Sequence, residues 1–255
     1  MIEPFMDDEM KETVMNQKID LQETEIAGLS CKIALPPGYD ASDQSYPVIY
    51  INGDIPLQEV IAETVRAGAC RDFIMTAVIP GNWNDDFTPW GAPAIRKGEA
   101  PPKGQADQYI ARLTEHIKPF MDSSYRTKPE PEHTTLLGYS LGGLAALYTV
   151  YQTELFGRAG CLSGSLWYDG FCEYMEQRRP AAESLKVYLS LGKKEPLTKN
   201  PRMAPVAVCT ERAGKILTEQ LGRKDVRFEW NEGGHFCDIA KRFGRAAAWL
   251  GEGKG

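Results

Sequence analysis

The chain has 255 residues, a quarter of them charged, and a formal net charge of −6. That length suits one sizeable core, and the acidic balance argues against nucleic acid or an anionic membrane surface as the main partner. No stretch approaches the roughly 20 apolar residues that a membrane helix needs. The opening "MIEPFMDDEMKETV" is acidic where a signal peptide would be basic and then apolar, so a cytoplasmic location is expected.

In chain order, "LQETEIAGLSCKIALP" (21–36) reads as an antiparallel strand pair broken at Gly28, and "PPGYDASDQ" as a turn-rich connection. "YPVIYING" (46–53) is a β-branched run without alternation, as expected of a strand covered on both faces. "LQEVIAETVRAG" follows as a helix closed by Gly68, and "DFIMTAVIP" as a second buried strand. Residues 81–104 break the rhythm. They hold four prolines, four glycines and two tryptophans, too long and too aromatic for a simple connection, and they predict a loop or lid. From Ala106 the helical period returns, with Ala106, Ile110, Leu113 and Ile117 on one face.

Beyond Thr135 the alternation is regular: "TLLGYS", "AGCLSGS", "LKVYLSLG" and "VRFEWNE" read as strands. Between and after them "LGGLAALYTVY", "DGFCEYMEQ", "VAVCTERAGKILTEQLG" and "CDIAKRFGRAAAWL" read as helices. Repeated strand–helix units predict a mostly parallel sheet with helices on both faces, an α/β domain spanning residues 1–255 with 81–104 over it. Six cysteines (Cys31, Cys70, Cys161, Cys172, Cys209, Cys237) are scattered without a C-x-x-C pair, which predicts buried free thiols and no metal site.

The chemistry starts at "GYSLGG" (138–143), where a strand gives way to a helix. Gly-x-Ser-x-Gly at such a junction forces the serine into a strained turn that exposes its hydroxyl beside the helix N-terminal amides. Ser140 is therefore the candidate nucleophile, and it needs a base. Of three histidines, His116 lies off its helix's apolar face and His133 in a polar loop. His235 follows the last strand in "EWNEGGHFCD", where the order serine, acid, histidine puts the base. Glu195, three residues beyond Gly192 at the end of the penultimate strand, is the preferred acid, with Asp238 as competitor. The amides of Leu141 and Asp54 are the candidate oxyanion donors.

With these residues in place, the chain resembles the Putative esterase family of α/β-hydrolases, which includes esterase D and feruloyl esterases, and within it the siderophore trilactone (enterochelin) esterases. The resemblance runs from "CKIALPPGYD" to the final helix through "YPVIYINGD", "DDFTPW", "GYSLGGLAALY", "CLSGSLWYD", "LGKKEPLTKN" and "EGGHF". It implies an α/β-hydrolase fold, Ser140 as nucleophile, His235 as base and no cofactor. Glu195 stands where many relatives carry an acid, although some trilactone esterases are described as working with a serine–histidine pair.

The expected activity is a serine esterase on a small-molecule ester, with a siderophore lactone as the leading substrate. Its alternatives are a general carboxylesterase or feruloyl-type enzyme, an acyltransferase, or a non-catalytic binder on the same fold. Trp83, Phe87, Trp90 and Trp167 are expected to wall a pocket for aryl groups, with Arg96, Lys97 and Lys103 facing an anionic ligand.

Overall fold

The computed structural model describes residue 19 and residues 21–251; the acidic opening segment lies outside them. Strands β1 (Leu21–Ile26) and β2 (Leu29–Ala34) form an antiparallel hairpin. They turn on Ala27 and Gly28, both left-handed at φ 50° and 75°, the pairing that suits the twist of a two-residue hairpin. β3 (Val48–Asn52), β4 (Ile74–Ile79), β5 (Thr134–Tyr139), β6 (Arg158–Leu162), β7 (Lys186–Gly192) and β8 (Val226–Asn231) complete one sheet. Its order is β1-β2-β4-β3-β5-β6-β7-β8. β2 runs antiparallel to β4, and the pairs from β4 through β8 are parallel. The predicted α/β-hydrolase architecture is the one observed.

Strand side chains alternate between two apolar layers. Val48 and Tyr50 enter the larger core with Leu136, Leu144 and Tyr109. Ile49 and Ile51 enter the other, against α1 (Leu57–Arg66) and the closing helix α8 (Ile239–Gly251). α5 (Leu141–Gln152) is buried at all but its last residue, which explains a sequence that is apolar all round rather than striped.

The helix expected after Ala106 forms, with its predicted face buried, but in pieces. α3 (Ala106–Arg112) passes through a widened π-turn at Leu113–Ile117 into α4 (Lys118–Ser124). Pro119 accounts for the break, since its ring displaces the carbonyl four residues back and it has no N–H to donate. Two further helices, α6 (Phe171–Glu176) and α7 (Val206–Leu221), complete the set that matters below.

Residues 81–104 are a folded loop rather than a free flap. The short helix α2 (Trp83–Asp86) is capped by the Asn82 side chain, which accepts from the Asn84 and Asp85 amides at 3.0 Å each. The buried Asp85 carboxylate accepts from the Lys103 amide at 2.8 Å, and Asp86 from the Asn82 amide at 3.1 Å. Asp85 thus ties the loop's beginning to its end, while Asp86 closes the first turn on itself.

The strand order reverses between β3 and β5, because the chain places β4 outside β3 and then returns to lay β5 on its other side. A crevice opens at such a reversal beyond the carboxyl ends of the strands. Asn52-Gly53-Asp54 and Ser140 both stand at that crevice.

Candidate active site

Ser140 sits between β5 and α5 with φ 58° and ψ −122°, a conformation that costs a non-glycine residue about 1–3 kcal/mol. The flanking glycines explain how it is held. A Cβ at Gly138 would fall 2.0 Å from the Gly142 carbonyl oxygen, and one at Gly142 would fall 2.8 Å from the Asn52 carbonyl oxygen. Bare backbone on both sides lets the first turn of α5 close against β5 and β3. The Ser140 carbonyl accepts from Gly143 and Leu144 at 3.1 Å and from the Ser165 amide at 3.0 Å. The end of β3 is fixed to the same elbow, because Asn52 Nδ2 donates to the Gly142 carbonyl at 3.0 Å. Tyr109 in turn donates its buried hydroxyl to Asn52 Oδ1 at 2.8 Å.

His235 lies in the loop between β8 and α8, and its Nδ1 is 2.7 Å from Glu195 Oε2. The other oxygen, Oε1, accepts from Ser163 Oγ at 2.6 Å, the Gly192 amide at 2.7 Å and Arg242 Nη1 at 2.9 Å. Burial alone would raise the Glu195 pKa, but the hydrogen bonds from His235, Ser163 and the Gly192 amide hold it below the ordinary carboxylate range. Glu195 is therefore an ionised acceptor at neutral pH. Gly192 has to be bare here: a Cβ on it would stand 2.8 Å from Glu195 Oε1. Asp238 is an exposed residue whose carbonyl accepts the Arg242 amide; no hydrogen bond joins its carboxylate to His235 among the described residues.

Ser140, His235 and Glu195 line one cavity of about 420 Å³. Trp167, Met203, Val206 and Phe236 give it apolar wall, while Arg96, Asn200 and Thr198 contribute polar edges. Ser140 Oγ has Ser165 Oγ at 3.5 Å, long for a bond between hydroxyls; among the described residues no hydrogen bond joins Ser140 Oγ to the His235 ring, although both line the cavity. As the first residue of α5, Leu141 has an amide without an intrahelical acceptor. Among the described residues the Asp54 amide donates no backbone hydrogen bond either. The Asp54 carboxylate is drawn off by Lys32 at 2.6 Å.

The aromatic expectations need correction. Phe87 is wholly buried, edge-on to Trp83 and Tyr109, so it presents no surface to a ligand. Trp90 does not line the cavity. Its indole donates to the Asp169 carbonyl at 2.8 Å and packs among Tyr148, Tyr168, Phe171 and Tyr174, pinning the 81–104 loop. Trp83 is exposed at the loop's start and also lies outside the cavity lining; of the four, Trp167 lines the cavity. Of the three cations only Arg96 reaches the cavity; Lys97 is exposed, and Lys103 faces Asp85 at 3.7 Å. The expectation of buried thiols holds for Cys31, Cys161 and Cys172, but Cys70 and Cys237 are exposed and Cys209 is half-buried.

Sequence reasoning passed over Ser163, Ser165 and Arg242. Ser163 is left-handed at φ 46°, which turns its hydroxyl under Glu195. A signal was present in the second serine–glycine turn, "LSGS", directly beyond a buried strand.

Among the described residues no group of three His, Cys, Asp or Glu side chains is placed to hold a metal ion, and no helix is long and apolar enough to cross a membrane. The sequence profile of the family described as "Putative esterase" matches residues 9–237. The uncharacterised protein YbbA of Bacillus subtilis (strain 168) is 24% identical over 224 residues, covering 85% of this chain and 90% of its own. An IroE-like serine hydrolase from Shewanella oneidensis superimposes with a TM-score of 0.71 at 19% identity, covering 90% of this chain and 78% of its own. The siderophore hydrolase EstA from Aspergillus nidulans gives a TM-score of 0.70 at 17% identity, covering 98% and 96%.

Proposed function

The chain belongs to the Putative esterase family, and from the geometry around Ser140 we propose that it cleaves carboxylic esters by way of an acyl-serine. The observation that carries this reading is the 2.7 Å contact of Glu195 with His235 inside the cavity that the strained Ser140 lines. Glu195 accepts a hydrogen bond from Nδ1–H, which leaves Nε2 of His235 as the basic nitrogen. Nε2 takes the Ser140 proton as Oγ attacks the ester carbonyl carbon. The oxyanion that forms is received by the Leu141 and Asp54 amides. Collapse breaks the bond to the alcohol oxygen, which leaves with the proton from the imidazolium. Water then adds to the acyl-serine by the same route, releasing the acid and restoring Ser140.

For the substrate, the reading is an ester with an aryl-bearing acyl group, of which a siderophore lactone is the leading example. Support comes from Trp167 and Met203 along one wall, with Arg96 among the polar lining residues, and from the fold likeness to a siderophore hydrolase. A fluorophosphonate probe is expected to label the protein once, and Ser140→Ala to abolish both labelling and ester hydrolysis. Labelling that persists in that variant would remove Ser140 from the mechanism. Acetyl esters turned over faster than catecholate lactones would leave the esterase and overturn the substrate.

A further inference from the structure

We propose that Arg242 is a positioning residue for the reaction, holding the acid, the histidine loop and the strand end before the nucleophile in one register. This rests on the acyl-serine reading above. Arg242 belongs to α8, on the far side of His235 in sequence, and is 1% exposed. Its Nη1 donates to Glu195 Oε1 and to Tyr139 Oη, both at 2.9 Å, and to Ser163 Oγ. Its Nη2 donates to the Gly234 carbonyl at 2.8 Å and the Glu232 carbonyl at 3.3 Å. Tyr139, directly before Ser140, donates a hydrogen bond from its own hydroxyl to the His235 carbonyl.

One planar fork therefore touches the loops after β7 and β8 and the end of β5, which carry the acid, the base and the nucleophile. The consequence for chemistry lies in the two carboxylate oxygens. With Oε1 engaged by Ser163, Gly192 and Arg242, the carboxylate cannot swing, and Oε2 is presented to His235 Nδ1. A buried guanidinium is costly to desolvate unless paired, and the pairing here is with the residue that orients the base. Lysine would restore a charge beside Glu195 but not the fork that also spans the Gly234 and Glu232 carbonyls.

The test is steady-state hydrolysis by the full-length protein, after wild-type labelling at Ser140 has been established. Misplacing a catalytic group by about an ångström costs on the order of 10²-fold, so Arg242→Met is expected to lose about that in kcat. KM should stay within about threefold, since no substrate contact is removed. Arg242→Lys should recover roughly a tenth of the wild-type rate or more. The double variant with Glu195→Gln should lose less than the product of the two single losses, because part of what Arg242 does runs through that carboxylate.

A folded Arg242→Met with wild-type kcat, a loss confined to KM, or full multiplicativity with Glu195→Gln would each overturn the assignment. Should the Arg242 variants not fold, Tyr139→Phe removes only the hydroxyl between Arg242 and the His235 carbonyl. Its kcat is expected to fall roughly fivefold, one hydrogen bond's worth, and an unchanged kcat would overturn the proposal. Absence of Ser140 labelling in the wild type would instead sink the esterase reading itself.

Discussion

Glu195 meets His235 with one carboxylate oxygen, Oε2 to Nδ1 at 2.7 Å, while three donors hold the other oxygen from behind. The acid is thus both ionised and immobile, the two properties that fix an imidazole tautomer. Removing the charge while keeping the shape is the sharpest test. Glu195→Gln is expected to lower kcat by about 10³–10⁴-fold, as wrong-tautomer substitutions do, with little change in KM. Asp238→Asn should stay near wild type, since asparagine tolerates the left-handed backbone found there at φ 53°. A large loss in Asp238→Asn with little in Glu195→Gln would reverse the assignment, and small losses in both would leave a serine–histidine pair.

The same carboxylate predicts a pH dependence of stability. Its folded pKa is depressed, so it contributes stability that is fully present above the unfolded value of about 4.3 and lost as pH falls through the folded value. The gap in unfolding free energy between wild type and Glu195→Gln should therefore narrow from about pH 6 to about pH 3. Urea titrations at the two pH values measure it. A gap that widens on acidification would mean that the folded protein does not favour the ionised form.

The parts of this site legible in the sequence are those set by local chemistry or by strand order. The strained turn in "GYSLGG" was legible because such an elbow needs bare neighbours a few residues away, all within one hexapeptide. His235 and Glu195 were reachable because parallel topology places strand-end loops in a predictable sequence. Arg242 was not, since "IAKRFGRAAAWL" offers three cations that read alike. Only burial separates them, and a hint survives in spacing: Arg242, Ala246 and Leu250 recur every four residues, and all three are buried, so a cation lies on the apolar stripe. The aromatic wall failed for a related reason. Nearness in an irregular segment does not say which way a ring faces; the Asn82 cap and the Asp85 and Asp86 carboxylates decide that for residues 81–104.

Two glycines offer a contrast that isolates the elbow. A Cβ at Gly138 would meet backbone at 2.0 Å, where no side chain can rotate aside. Gly138→Ala is expected to destabilise by about 3 kcal/mol or more, or to distort Ser140 enough to abolish hydrolysis. Gly214, inside α7, would meet only Leu189 Cδ1 at 3.6 Å, an ordinary contact. Gly214→Ala should raise stability by up to about 1 kcal/mol through helix propensity and leave kcat unchanged. Thermal unfolding with parallel assays decides, and a tolerated Gly138→Ala would contradict the close approach of α5 to β5.

Trp167 and Trp90 separate recognition from scaffolding. Both are half-buried tryptophans near the carboxyl end of the sheet, yet only Trp167 lines the cavity with Ser140. Trp90 spends its indole N–H on Asp169 and its faces on a cluster of tyrosines and Phe171. If an aryl group packs on Trp167 in the transition state, the contact is worth about 0.5–1.5 kcal/mol beyond simple burial. Trp167→Ala should then lower kcat/KM for aryl-bearing esters by about three- to tenfold more than for acetyl esters. Trp90→Ala removes packing instead, and about 2–4 kcal/mol of stability is expected to go with it. Its effect on rate should be the same for both kinds of ester, because the 81–104 loop as a whole is loosened. Selectivity lost in Trp90→Ala but kept in Trp167→Ala would place the aryl site on the loop and off the wall that Trp167 forms.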